Sequence, residues 1–469
     1  MTPKHWTALT TLTLALALGA CTDGSGTSGT GNDSATGQND SGTTTTPDNL
    51  AVTDATAVVN DRTRTLLNVS FTLSDDATTW VTFHTGDDDW VSSPKVDSTA
   101  GANETIIVGV TADTEVTWKI MAEAGAAAAE SDEQVTTTGS LPSDIPVFDL
   151  MENDPSGWTH PYVFGSVGTD AVNQWLLFIV NRAGEMVWYY YLDEGFWAPY
   201  SQIAQDNRSI LYVARDTPND DRRIVRMGID GEIHKEWELD GLTHAFVELE
   251  DESVVYVREV GTDEEVTMVK PDGSTQVVWT CSDWLRDTNN PALPCFHNGL
   301  NWYPDRGTFL ISFYNLNTVA EADIDSGTTI RSFGEVGGSY GFTDAGVSFD
   351  FQHHPTWTSR GGLMVTSSDP PRETWAREFE VDEANETITQ IWSHGEGYGL
   401  EARTIGEATR LDNDNTLMNW GSHPHMREVK LDGTIVWDGY MDGAAFMSRI
   451  HPVVDLYDFY CPGCYEQTE

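Results

Sequence analysis

The chain has 469 residues, enough for more than one domain, and its 74 acidic against 25 basic residues give a formal net charge of −49 at pH 7. Nucleic acid and anionic lipid surfaces are therefore poor partners, because both would be repelled. Any site for an anionic substrate must be a local positive island in a repulsive field.

The N-terminus predicts an exported lipoprotein. A basic start precedes an apolar run over residues 9–18, and the tetrapeptide Leu-Gly-Ala-Cys21 resembles a bacterial lipobox. We expect residues 1–20 to be a signal peptide and the lipid on Cys21 to anchor the protein, on the periplasmic side of the outer membrane or at the cell surface. An ordinary secretory peptide with a chance cysteine is the alternative.

Residues 21–48 predict a disordered tether. They consist almost wholly of Gly, Ser, Thr, Asp and Asn. Such a segment buries too little apolar surface to offset the entropy lost on ordering, so it is expected to hold the folded part away from the membrane.

Residues 49–140 predict a small β-sandwich of the fibronectin type III or immunoglobulin type. Valine-rich alternating stretches at 66–72, 80–83, 105–110 and 115–120 are separated by turns of Asp, Gly and Ser. We find no catalytic pattern in this unit and expect it to serve spacing or packing.

Residues 150–460 predict a six-bladed all-β propeller. A turn followed by a strand that ends in Trp or Phe occurs six times, at intervals of roughly 40 to 60 residues, the length of a four-stranded blade. A pair of β-sandwiches with similar strand spacing is the alternative. The six turns and strand ends are Ala183-Gly184 with Trp188, Asp230-Gly231 with Trp237, Asp272-Gly273 with Trp279, Ser326-Gly327 with Phe333, Ala384-Asn385 with Trp392, and Asp432-Gly433 with Trp437.

Three histidines occupy one register of this repeat. His244, His297 and His353 each open an apolar run that ends in a turn, and each is followed by a strand-like stretch. Equivalent positions of propeller blades surround one axis, so we expect the three imidazoles to meet in one pocket. The next residue, His354, is expected to point away from His353 if the strand pleats regularly.

The remaining four cysteines suit disulfides in an exported protein. Of the three possible connectivities we favour Cys281–Cys295 with Cys461–Cys464, because the first pair would restrain the loop before His297. Cys461-Pro-Gly-Cys464 also has the spacing of a redox motif, although no predicted helix follows it to lower the thiol pKa.

Clustered histidines leave three chemistries open. They suit a metal site of three imidazoles and water, acid–base or nucleophilic catalysis, or satisfied structural positions. The spacings between the three histidines match no local zinc motif.

The segments around these histidines resemble bacterial arylsulfate sulfotransferases of the ASST type. The resemblance spans residues 150–460, and its most specific parts are Gln352-His353 and the Asn415-Thr-Leu…Glu428-Val…Gly433…Trp437 pattern. It implies an exported six-bladed propeller enzyme that moves a sulfuryl group from an aryl sulfate to a phenol, without a nucleotide sulfate donor, a cofactor or a metal.

The resemblance assigns roles by residue. His353 matches the histidine that is sulfated during transfer, and His244 and His297 match two histidines that contact the sulfate and the leaving oxygen. The substrate-binding positions are expected at Asn298, Tyr314 and Arg377.

Two of these positions depart from the family pattern. Asn298 stands one residue earlier than the family's His-x-Asn places its amide, and Tyr314 stands where the family has a sulfate-binding arginine. A tyrosine donates one hydrogen bond but cannot replace a bidentate cation. Arg377, Arg360 or Arg403 is expected to compensate. If no arginine replaces the missing cation, two alternatives remain. One is a non-catalytic propeller that binds a ligand or a surface, and the other is a three-histidine metal hydrolase.

Overall fold

The computed structural model describes residues 49–169, 174–216, 221–344, 346–369, 373–461 and 464. The predicted signal peptide and the whole predicted tether, residues 21–48 with Cys21, lie outside these residues. The described part is almost entirely β-structure. No helix within it is long and apolar enough to span a bilayer.

Residues 52–137 form two antiparallel sheets that share one apolar core. One sheet has the order β1-β2-β6, and the other has the order β4-β3-β7-β8 with β5 on β3 and β9 on β7. Alternate residues of β2 point into the core, as Leu67, Val69, Phe71 and Leu73 show. The strands are β1 Val52–Val59, β2 Leu67–Leu73, β3 Ala77–Thr85, β4 Val91–Ser92, β5 Val96–Ser98, β6 Gly101–Ile107, β7 Glu115–Ala124, β8 Ala127–Glu130 and β9 Gln134–Thr137.

The rest of the described chain forms six sheets of four or five strands, which we number 1 to 6 in chain order. Their strands pair antiparallel, except that β27 pairs with β31 in parallel. Their strands are β10 Val147–Asn153, β11 Tyr162–Thr169, β12 Trp175–Asn181, β13 Met186–Tyr191, β14 Phe196–Trp197, β15 Ser201–Ile203, β16 Ile210–Asp216, β17 Asp221–Met227, β18 Ile233–Glu238, β19 Leu242–Glu248, β20 Val254–Val260, β21 Asp263–Val269, β22 Thr275–Thr280, β23 His297–Tyr303, β24 Thr308–Phe313, β25 Thr318–Asp323, β26 Thr329–Gly334, β27 Gly341–Phe342, β28 His353–Trp357, β29 Leu363–Asp369, β30 Glu373–Asp382, β31 Thr387–His394, β32 Glu407–Arg410, β33 Thr416–Trp420, β34 His423–Val429, β35 Ile435–Asp442 and β36 Ala444–Val453.

The six sheets close into a ring, which makes the fold propeller-like. The last strand, β36, pairs with β11 and so completes sheet 1 from the far end of the chain. The innermost strands of sheets 2 to 5 are β15, β19, β23 and β28. In sheet 6 the innermost strand is β32, and β10 lies at the outer edge. Inner strands of successive sheets contact one another, for example β19 with β23, β23 with β28 and β28 with β32. Their N-terminal ends therefore surround a common axis.

The six turns of the sequence repeat form the last hairpin of each sheet. In five of them the glycine adopts a positive φ, between 66° and 87°, which glycine tolerates without a steric penalty. In the sheet 5 turn the positive φ falls on Glu386, one residue after Ala384-Asn385. The repeat in the sequence thus marks one hairpin per sheet.

The N-terminal two-sheet unit covers the outer edge of sheet 1. Thr63 and Thr65 donate hydrogen bonds to the carbonyl oxygens of Tyr189 and Val187 on β13, at 2.5 and 2.8 Å. These contacts satisfy edge groups that would otherwise be open to pairing with another chain.

One α-helix, α1 (Cys281–Asp287), interrupts the described β-structure between sheets 3 and 4, and the side chain of Thr280 caps it. Short 3-10 helices lie at Pro304–Arg306, Tyr314–Leu316 and Leu456–Phe459. Both favoured disulfides, Cys281–Cys295 and Cys461–Cys464, are formed. The first one ties α1 to the segment that leads into β23.

Candidate active site

The three histidines of the repeat lie at the beginnings of neighbouring inner strands, β19, β23 and β28. The rings of His244 and His297 stack, with centroids 4.7 Å apart and planes inclined by 19°. The pKa of His244 lies well below its ordinary value because the ring is desolvated, and the nearby His297 and His353 lower it further. Because the inner strands that carry them are adjacent, the three imidazoles lie near one another, at what we call the histidine pocket. His244 is neutral at neutral pH.

His353 has the hydrogen-bonding pattern of a nucleophile. Its Nδ1 lies 2.9 Å from the carbonyl oxygen of Phe351, and a carbonyl oxygen only accepts hydrogen bonds, so Nδ1 carries the proton. Desolvation lowers the pKa of His353 to about 4, although this hydrogen bond opposes the shift. At neutral pH the ring is therefore uncharged, with its lone pair on Nε2. The residue is partly exposed, and Nε2 makes no hydrogen bond among the residues that the structure describes.

The backbone that presents His353 is strained on both sides. Phe351 and His354 both have a φ of 48°, which costs a non-glycine residue of the order of 1 kcal/mol or more. Gln352 between them is fully buried. It anchors the segment to sheet 4 because its Nε2 lies 3.0 Å from each of three acceptors, Ser312 Oγ, Phe313 O and Thr318 O.

His297 is held by two protein partners. Its Nδ1 lies 2.9 Å from Oε1 of the buried Glu264, and its Nε2 lies 3.0 Å from Oγ1 of Thr243. Glu264 also accepts the backbone N–H of His297 at 2.8 Å. Both ring nitrogens are thus engaged, and His297 contacts a substrate oxygen only if Nε2 exchanges Thr243 for that oxygen.

A cation that the sequence did not reveal lies near enough to His244 to affect its pKa. Arg215 is among the causes that lower the pKa of that histidine, after burial and the other two histidines. On β16 it lies two positions after Val213 and therefore on the same face, and Val213 packs into the core shared with sheet 3. Arg222, directly opposite on β17, donates to the carbonyl oxygen of Leu242 at 3.0 Å, which confirms that this face meets sheet 3.

A buried polar network joins five sheets next to the histidines. Arg449 on β36 donates to Glu407 Oε2 at 3.1 Å, to Asn301 Oδ1 at 3.0 Å and to the hydroxyl of Tyr200. The same guanidinium lies 3.0 Å from Nε2 of His354, which must accept because arginine only donates. Burial raises the pKa of Glu407 to about 7 despite the nearby guanidinium. This network restrains the beginning of β28, where His353 lies.

The side chain of His354 has different partners from that of His353, because it contacts Arg449 whereas His353 contacts Phe351 O. A register shift between His353 and Thr356 interrupts the pairing of β28 with β29.

A family model described as arylsulfotransferase (ASST) matches residues 192–443, more than half of the chain. The chain belongs to the ASST family. No curated protein is significantly similar to it in sequence.

Solved structures with a related fold are distant in sequence. A Bacteroides caccae protein of unknown function is 14% identical over 63% of this chain and 100% of that chain, with a TM-score of 0.43. The virginiamycin B lyase of Staphylococcus aureus is 14% identical over 51% and 69%, with a TM-score of 0.35. The periplasmic gluconolactonase of Pseudomonas aeruginosa is 11% identical over 81% and 100%, with a TM-score of 0.37. These low scores carry no information about the activity of this ASST member.

The substrate-binding positions predicted for this ASST chain lie in different surroundings. Asn298 donates to the carbonyl oxygen of Gln352 at 2.5 Å, and its Oδ1 has no hydrogen-bond partner among the described residues. Tyr314 begins a 3-10 helix and stacks between Phe296 and Phe351. Asn298 thus supports the backbone before His353, and Tyr314 presents a ring beside the pocket.

The arginines expected to replace the missing sulfate-binding cation lie elsewhere. Arg377 is on the third strand of sheet 5, roughly 10 Å from the inner strand at about 4.8 Å per strand, where it is buried and donates to Ser348 O at 3.1 Å. Arg360 is exposed in the turn at the other end of β28 from His353. Arg403 is 75% exposed and lies 3.5 Å from Glu401. Arg215 is better placed than any of them.

In the described part of the chain, the one group of potential metal ligands close enough to share an ion is Asp263, Cys281 and Cys295. The two cysteines are joined to each other, so they do not provide thiolates. The three histidines are not grouped in this way, and His297 already binds Glu264 and Thr243 through its ring. The geometry favours nucleophilic chemistry over a three-histidine metal site.

Proposed function

We propose that this ASST-family protein transfers a sulfuryl group from an aryl sulfate to a phenol by way of a sulfated His353. The observation that carries the proposal is the fixed tautomer of that residue. Its Nδ1–H is committed to Phe351 O, and its neutral Nε2 is open. A neutral imidazole nitrogen is a competent nucleophile, and covalent relay divides one difficult transfer into two easier steps.

In the first step Nε2 of His353 bonds to sulfur as the bond from sulfur to the aryl oxygen breaks, and the phenolate departs with the electron pair. In the second step the acceptor oxygen bonds to sulfur, the N–S bond breaks, and the acceptor's proton leaves to a base. Neutral His244 is available to donate a hydrogen bond to the departing oxygen in the first step and to accept the acceptor's proton in the second.

Charge on the sulfuryl oxygens requires a cation, since such transfers spread negative charge over the equatorial oxygens. Arg215 supplies that cation in the proposal, in place of the arginine that Tyr314 replaces. His297, tied to Glu264, stacks on His244 and fixes its position. Arg215 is the local positive charge that the strongly acidic chain requires for an anionic substrate.

The same proposal places the protein outside the cytoplasm. The signal peptide, the lipid on Cys21 and the tether would hold a fibronectin III- or immunoglobulin-like sandwich and a six-bladed propeller at a membrane surface. Radiolabelled palmitate incorporated by the wild-type protein and lost in Cys21→Ala would support the anchor. Incorporation unchanged by that substitution would refute it.

The activity is tested by incubating the purified protein with 4-nitrophenyl sulfate and a phenol acceptor, with and without a chelator. We expect release of nitrophenolate that depends on the acceptor, survives chelation and is lost in His353→Ala. Incubation with donor alone should add the mass of one sulfuryl group to the wild-type protein only.

His84→Ala is a matched control, because His84 also has Nδ1 close to a backbone carbonyl oxygen two residues away, that of Gly86 at 3.0 Å. It lies in the N-terminal unit and should leave turnover unchanged. Turnover abolished by the chelator would favour metal-dependent hydrolysis. No turnover and no mass increment would leave a ligand-binding protein without transferase activity.

A further inference from the structure

Three aromatic side chains form a row beside the histidine pocket. The ring of Tyr314 lies between those of Phe296 and Phe351, with centroid distances of 6.2 and 6.1 Å and interplanar angles of 29° and 23°. Phe296 is 47% exposed and Phe351 is 55% exposed. Large apolar rings clustered at a surface are uncommon unless something binds there.

A single short element holds all three rings. Tyr314 begins the 3-10 helix, and the residues that hold its two neighbours lie one and three positions later. Asn315 Oδ1 accepts the backbone N–H of Phe296 at 3.1 Å, and Asn317 Oδ1 accepts that of Phe351 at 3.2 Å. Since these bonds fix the backbone beneath each ring, the row is built into the fold and does not depend on loose side chains.

The row is continuous with the reacting groups. Phe351 provides the carbonyl oxygen that fixes the tautomer of His353, and Phe296 immediately precedes His297. A substrate whose sulfuryl group lies at His353 therefore has its attached group within reach of these rings. The row is also longer than one benzene ring, because it contains three ring centroids about 6 Å apart.

We propose that Phe296, Tyr314 and Phe351 form an aryl-binding platform that favours substrates with fused or linked aromatic rings over single-ring ones. The inference rests on the proposed function for the position of the sulfuryl group. Aromatic pairs gain stabilisation beyond the burial of their area, so an extended aryl group gains more from three rings than a single ring does. Tyr314, which stands where the family has an arginine, thus contributes to recognition of the aryl part of the substrate.

Binding of acceptors without any donor tests the platform, because no turnover is possible in that mixture. Titration calorimetry of 2-naphthol, phenol and cyclohexanol should give the tightest binding for 2-naphthol in the wild-type protein. We expect Tyr314→Leu and Phe351→Leu to weaken 2-naphthol binding by roughly tenfold, with little effect on cyclohexanol. Tyr314→Phe keeps the ring and should bind as the wild type does.

Trp90→Leu is the control, because Trp90 is similarly exposed, at 42%, but lies in the N-terminal unit. With 2-naphthyl and phenyl sulfate as donors, the ratio of their kcat/KM values should also fall by roughly tenfold in Tyr314→Leu. Platform-dependent naphthol binding without any transfer would refute the proposed function and leave this inference standing. Transfer with unchanged naphthol affinity and an unchanged donor ratio in both leucine variants would overturn the inference alone.

Discussion

Replacing Gln352 with methionine should separate the support of His353 from the chemistry of His353. Methionine has a similar length and no donor, so the carbonyl oxygens of Phe313 and Thr318 lose a buried hydrogen-bond partner. Each buried acceptor left unsatisfied costs about 1 to 3 kcal/mol, so we expect the free energy of unfolding to fall by about 2 to 4 kcal/mol. Gln390→Met, on the outer strand of the same sheet and only partly buried, should change it by less than about 0.5 kcal/mol.

Transfer should fall further than stability explains. Gln352 fixes the peptide between two residues of positive φ, and a misplacement of about 1 Å at a reacting group costs on the order of a hundredfold in rate. We expect Gln352→Met to lose at least tenfold in kcat at a temperature where urea unfolding shows it to be fully folded. A folded variant that transfers at the wild-type rate would show that this anchor does not position His353.

Two further predictions concern pH and the first disulfide. Because the pKa of His353 is lowered to about 4, kcat/KM should fall as pH drops through about 4, and a profile with its acid limb near 6.5 would contradict the assigned environment. In the folded state the pKa of His353 is about 4, whereas an unfolded histidine is protonated near pH 6.5. The stability that His353 contributes should therefore be lost as pH falls from about 6.5 to 4, which thermal unfolding across that range can measure. Replacing Cys281 and Cys295 by serine should lower the free energy of unfolding by about 3 kcal/mol for a loop of this length, and a urea midpoint equal to the wild-type value would show that α1 and the following loop are restrained by other contacts.

The features that repeat along the chain were predictable from the sequence. Turns such as Asp-Gly mark positions where the backbone needs a positive φ, and a strand that ends in Trp or Phe follows each of them. Each of these turns lies in the last hairpin of a sheet. The shared register of His244, His297 and His353 followed from the same repeat, since equivalent positions of sheets around one axis must lie close together.

The features that depend on one long-range contact were not predictable. Arg215 is an ordinary basic residue at the end of an apolar strand, and only the packing of sheet 2 on sheet 3 brings it to His244. Glu264 lies in an acidic stretch in which nothing distinguishes it from its neighbours until it meets His297. The contact of His354 with Arg449 joins β28 to β36, which are far apart in the sequence, so no local pattern indicated it.

The cations near the pocket act on both the substrate and the histidines. Arg215 attracts an anion and also disfavours a proton on His244, so this histidine stays neutral while the pocket remains attractive to sulfate. A bound sulfate ester reverses part of that effect, because its negative charge favours protonated imidazoles and raises their pKa values. The acid limb of kcat, which reports the complex, should therefore lie at a higher pH than that of kcat/KM, which reports the free protein. A bound substrate that raises the pKa of His244 also increases the fraction of this histidine that carries a second proton, which it can then give to the leaving oxygen.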